Sequence, residues 1–165
     1  MLVKTNSSYR FVTALVKQKD RYLITQRSAP AALVGLWEFP GARVEPGSSD
    51  EAELERALRE RLAIDVKVGR LLASRTQKYV GYSVETALYE ASMLPGQTPR
   101  PQTVADYRWV TAEELEQHRF VPPDQTTTNL LLGIPRESAS KREPLKRGSA
   151  TAPCREWLGP RLETR

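Results

Sequence analysis

One segment, Leu36 to Ile64, constrains this chain more than any other. Leu36-Trp37-Glu38-Phe39 reads as a strand stopped by Pro40-Gly41, and Arg43-Val44-Glu45 as a short extended piece stopped by Pro46-Gly47. Proline presets φ and glycine accepts positive φ, so each pair is a strong turn signal. Ser48-Ser49-Asp50 then offers N-caps, with Glu51 three residues after Ser48 as in a capping box. The spacing predicts a helix from there to Ala63. Leu54, Leu58 and Leu62 recur every fourth residue and form one apolar stripe, while Glu51, Glu55, Arg56, Arg59 and Glu60 fill the other faces. A helix of this kind needs a core to receive its stripe.

The flanking sequence offers strands for that purpose. Phe11 to Val16 and Arg21 to Arg27 read as a hairpin with a charged tip. Ile64 to Val68 and Leu71 to Ser74 read as short strands, Tyr82 to Tyr89 alternates like a half-buried one, and Tyr107 to Val110 is another. Thr111 caps a short predicted helix, Ala112 to Gln117, and a last helix is expected over Thr126 to Leu132. Residues 1–135 thus read as one α/β domain. Beyond Gly133-Ile134-Pro135 the composition turns to Ser, Lys, Arg, Glu and Pro without periodicity, which predicts a disordered tail over 136–165.

Composition narrows the function classes. A chain of 165 residues fits one ordinary core, and its apolar runs fall far short of the roughly 20 residues that cross a bilayer. With one cysteine, Cys154, and one histidine, His118, there is no internal disulfide and no Cys/His zinc site. The polar N-terminus reads as no secretory signal, so a cytoplasmic protein with no membrane partner is expected. The net charge of +5 invites a nucleic-acid reading, but residues 136–165 hold eight Lys/Arg against four Asp/Glu. Residues 1–135 carry 17 basic and 16 acidic residues, so the body is nearly neutral and the tail basic. That tail could contact nucleic acid or a protein.

The run Trp37-Glu38-Phe39-Pro40-Gly41, the second Pro-Gly turn and the helix with Arg56 and Glu60 resemble the Nudix motif, G-x5-E-x7-R-E-U-x-E-E-x-G-U with U aliphatic. The entering hairpin, Tyr107 to Val110 and Val121-Pro122-Pro123-Asp124 resemble the MutT-like branch. The resemblance spans residues of about 8 to 133. It implies a Nudix α/β/α sandwich with a mixed β-sheet, and the hydrolysis of a diphosphate linked to another moiety, assisted by magnesium. Hard cations want oxygen ligands, and positions three and four apart converge on one helical face. The Leu-Trp-Glu-Phe-Pro stretch is also similar to the Nudix-like C-terminal domain of adenine DNA glycosylases.

Laid over this chain without a gap, the motif departs at its chemistry. Ala42 stands for the first glycine, Ser48 for the first glutamate, Ala57 for the next, Arg61 for the last and Ala63 for the final glycine. Thr103 falls at a further acidic position of the family. Arg56 and Glu60 are retained, as the candidate catalytic residues, and Glu60 is the one candidate metal ligand. The expected cofactor is therefore none, or weakly bound Mg. Glu53 lies one turn before Ala57 and is read as solvated or salt-bridged, since a turn displaces it by about 6 Å. Arg61 puts a fixed charge where a cation would sit and can pair with a carboxylate, touch a bound phosphate or extend into solvent.

By the same resemblance Arg27 and Asp124 are candidate binding residues for a nucleotide-like small molecule, against a hairpin-end salt bridge and a turn cap as structural readings. Phe39 joins them as a stacking candidate, with the core as its alternative. His118 reads as a surface residue. Three functions remain open: a nucleotide-like ligand or partner binder with weak or no hydrolysis, an active pyrophosphohydrolase using Glu60, Glu45 and Asp106, and a nucleic-acid adaptor using the basic tail.

Overall fold

The computed structural model describes residues 7–132. The chain order begins β1 (Ser7–Gln18), β2 (Arg21–Gln26), β3 (Trp37–Glu38), β4 (Gly41–Arg43) and α1 (Asp50–Leu62). It continues with β5 (Val66–Tyr79), β6 (Tyr82–Met93), β7 (Asp106–Val110), a 3-10 helix (Glu113–Gln117) and α2 (Pro122–Leu131). The strands form one mixed sheet in the order β3-β2-β1-β6-β5, with β4 on β1 and β7 on β2. β1 and β6 run parallel; the other pairs are antiparallel.

Period-two alternation along β1 and β6 divides the core between the two faces of the sheet. Val12, Ala14 and Val16 of β1, with Ala87 and Ala91 of β6, meet Leu54, Leu58 and Leu62 of α1. All three leucines are fully buried, so the predicted stripe holds α1 to the sheet at roughly 1.5–3 kcal/mol per side chain. Leu15 and Leu88 point the other way, into a second cluster with Ile24, Trp37, Phe39, Val110, Leu115 of the 3-10 helix and Phe120, against which Leu131 of α2 packs. This is the expected α/β/α arrangement.

Several boundaries differ from expectation. The two short strands after α1 are one strand, β5, whose register shifts near Leu71 absorb the irregular stretch read as a break. α2 starts at Pro122, because a proline at the first helical position loses no hydrogen bond. The N-cap of α1 is Ser49, whose hydroxyl accepts from the Ala52 N–H at 3.2 Å, so the capping box centred on Ser48 does not form. Thr111 accepts from the Glu114 N–H, and Glu114 accepts from the Thr111 N–H at 2.9 Å. The short helix there is 3-10. The predicted tail, 136–165, with Cys154, lies outside the described residues.

Two glycines of the Pro-Gly turns are required by geometry. A Cβ on Gly41 would collide with the Val12 carbonyl oxygen where β4 crosses β1, and Gly47 has φ of 85°. Ala63, at the box's last glycine, still caps α1 in the left-handed conformation with φ of 54°.

Candidate functional site

The site is organised by a residue that the sequence reading did not single out, Glu38. The aromatic rings of Trp37 on β3 and of Phe39 just after it enter the second core cluster, which turns the intervening Glu38 to the opposite face. There its carboxylate accepts from two guanidinium groups: Arg27 Nη1 to Oε2 at 2.7 Å and Arg61 Nη1 to Oε1 at 2.7 Å. The Glu38 and Arg27 side chains are only 10% and 11% exposed, and Arg61 is 30% exposed. Alternation between two core aromatics was the signal that could have found Glu38.

Arg27 follows β2 and also donates through Nε to the Ala32 carbonyl at 2.5 Å, tying down the loop that leads to β3. Arg61 reaches Glu38 from the last turn of α1, so of its three readings the structure has the pairing with a carboxylate. Asp124, in the first turn of α2, meets the chain just past β3. Its Oδ2 accepts the Phe39 N–H at 2.8 Å, and the Thr128 hydroxyl donates to its backbone carbonyl at 3.1 Å. Burial and then the nearby Glu38 charge push the Asp124 carboxyl up to about 8, against the Phe39 N–H and the charges of Arg27 and Arg61. Arg27, Arg61 and Asp124 are therefore gathered around one strand.

The Phe39 ring is not available as predicted for stacking: it is 2% exposed and lies against Phe120, centroids 5.4 Å apart. A large apolar residue facing the covered side of the sheet is core first, even just beyond the end of an edge strand. His118 is half-buried rather than on the open surface, with Nδ1 3.0 Å from the Glu114 carbonyl and its ring edge-on to Trp37.

The box carboxylates are dispersed. Glu60 is 59% exposed and its near partner is Arg56, at 3.4 Å. Arg56 also donates to Glu53, which is buried and salt-bridged rather than solvated. Burial alone would raise the Glu53 carboxyl, but hydrogen bonds from Arg56, the Ser48 hydroxyl and the Glu45 backbone hold it below the usual range. Ser48 thus supports Glu53, which pairs with Arg56. Asp106 accepts its neighbour's Tyr107 N–H and lies 3.5 Å from Arg108.

Among the described residues no three of His, Cys, Asp and Glu converge as a metal cage. With alanine at 57 and a guanidinium at 61, the residues present do not fit a divalent ion of the family type. Two surface hollows, of about 510 and 310 Å³, are lined by neither Glu38 nor its partners.

The family's NUDIX domain matches residues 11–129 of this chain. The chain belongs to the Nudix family. Its MutT-like character is carried by relatives and by shape. The CTP pyrophosphohydrolase of Escherichia coli K12 is 32% identical over 115 residues, 68% of this chain and 83% of that protein. The solution structure of the E. coli ORF135 protein superposes with a TM-score of 0.66 at 26% identity, covering 86% of this chain and 99% of that one. The fold is shared with the MutT protein of Methanosarcina mazei Go1, with a TM-score of 0.64, 18% identity and coverage of 84% and 99%. Nudix hydrolases typically use a divalent metal such as magnesium, and no helix among the described residues is long and apolar enough to cross a membrane.

Proposed function

We propose that this Nudix protein binds the phosphate end of a nucleotide-like ligand and hydrolyses it weakly or not at all. The observation that carries the reading is Arg61, a guanidinium 2.7 Å from Glu38 at a position where the box keeps a glutamate. A fixed positive charge opposes a cation there by roughly 4 kcal/mol per unit charge at 4 Å and intermediate dielectric. The exposed Glu60 alone offers little to offset that. Removing even one metal ligand or general base costs orders of magnitude in rate.

The same substitution creates donors for an anion. Arg27 and Arg61 converge on one carboxylate, and a diphosphate, with more acceptor oxygens and more charge, competes with Glu38 for them. Asp124, protonated up to about pH 8, can donate as well as accept toward a base edge. Since one relative is named a CTP pyrophosphohydrolase, CTP is the first ligand to test.

Isothermal titration with CTP and oxidised guanine nucleotides, with and without magnesium, should show binding that magnesium does not strengthen. Turnover should stay below about 0.1 per second against a typical enzyme value near 10. Faster turnover, or binding that needs magnesium, overturns the reading.

A further inference from the structure

The face of the sheet opposite α1 changes character along its length. Near Leu15 and Leu88 it is covered by the second core cluster. Toward the closed end of the β5–β6 hairpin the same face carries aromatic residues that are only half-buried or exposed. Tyr79 pairs with Tyr82 across the hairpin, their rings stacked at 4.8 Å and 16°. Tyr9 of β1 meets Tyr82 edge-on at 6.2 Å. Phe11, two residues on, lies between Arg43 of β4 on one side and, across Thr86, Arg75 of β5 on the other. Arg43 leans over the Tyr9 ring at 5.0 Å.

Strand partners share a face, so these six side chains form one strip with rings in the middle and a guanidinium at each edge. No carboxylate occupies a paired position in the rows from Tyr82 to Thr86 of this face; Glu85 turns to the α1 side, where it pairs with Arg10.

We infer that this strip binds single-stranded nucleic acid, two or three bases stacking on the tyrosines while phosphates meet Arg43 and Arg75. Ring faces flanked by cations suit unpaired bases, because every base has a π-face and every linkage a negative charge. Buried bases of a duplex offer no such face. A second copy of this chain fits poorly. The outer edge of β5 bears Lys67, Arg70, Arg75 and Lys78 and no acidic residue, so pairing two such edges would set like charges opposite one another. The inference uses none of Arg27, Glu38, Arg61 or Asp124 and stands apart from the ligand reading above.

The test is fluorescence anisotropy of the full chain with labelled oligothymidylate and oligouridylate of about 20 nucleotides, and with a duplex of the same length, across salt. Either single strand should bind at least about tenfold more tightly than the duplex. The double charge reversal Arg43→Glu, Arg75→Glu should lower single-strand affinity at least about tenfold and flatten the salt slope by about 1.4. Tyr79→Leu should lower it about fivefold with the slope unchanged, and Tyr79→Phe should restore it. All variants should keep the wild-type melting temperature and CTP binding. Absence of binding, equal affinity for duplex, or single-strand binding indifferent to these substitutions overturns the inference; the last outcome would assign the affinity to the basic tail.

Discussion

The two sides of α1 have been treated differently. Toward the sheet, Leu54, Leu58 and Leu62 recur every fourth residue and are completely buried. Toward β3, the positions that would hold carboxylates are Ala57, 5% exposed, and Arg61, paired to Glu38. Packing depends on volume and period, which the leucine stripe preserves, whereas metal binding depends on the identity of a few oxygen donors. The packed side and the ion-paired side of one helix therefore answer to different rules, and the first can be kept while residues on the second change. The ends of the helix follow the same division: Ser49 caps it in place of Ser48, and Ala63 takes the left-handed turn that glycine would take more easily.

The sharpest way to break this contrast is to damage the packed side. Leu58→Ala should cost about 3 kcal/mol in urea unfolding, since the site is surrounded by α1 and the sheet and can collapse only in part. A loss under about 1 kcal/mol would show that the stripe is not what holds α1. On the ion-cluster side, Glu38→Leu should cost about 2 kcal/mol, less than a fully buried pair would, because Arg61 is 30% exposed and can turn to water while Arg27 cannot. The same variant removes the carboxylate that Arg27 and Arg61 share, so its affinity for inorganic pyrophosphate should rise severalfold in titration calorimetry. Weaker pyrophosphate binding would mean that Glu38 organises the donors rather than competing for them.

How far the sequence foretold this arrangement follows the same line. The Leu stripe, the Pro-Gly turns and the hairpin are local signals, so α1 and its neighbouring strands were legible from spacing alone. Arg61 was identifiable because it departs from a motif, but its partner was not. Glu38 lies 23 residues away, and nothing local says that β3 will pass the end of α1. Of the two readings of Glu53, solvated or salt-bridged, the structure has the second, and only its burial was not legible, since Arg56, Ser48 and the Glu45 backbone all turn toward it. β5 was read as two pieces because its irregular register hides a continuous strand.

The smallest effect is the most diagnostic for the far end of the ion cluster. Because burial raises Asp124 to about 8, the folded protein holds a proton that the unfolded chain has released above about pH 4. Between those values folding takes up a proton, so this residue's contribution to stability is full below about pH 4, declines as pH rises and is lost above about 8. Asp50, held below the usual range chiefly by its hydrogen bonds from Arg10, and Glu53 act in the opposite sense and only at acid pH. Among the described residues, Asp124 is the group whose resolved shift spans the pH 5 to 8 window. Asp124→Asn keeps an oxygen to accept the Phe39 N–H but cannot titrate, so melting temperature should fall by several degrees less between pH 5 and 8 in the variant than in the wild type. Parallel curves would mean that Asp124 is ionised throughout, stabilised by Arg27 and Arg61 more than burial and Glu38 oppose it, and the cluster would then extend across β3 as two carboxylates sharing two guanidinium groups.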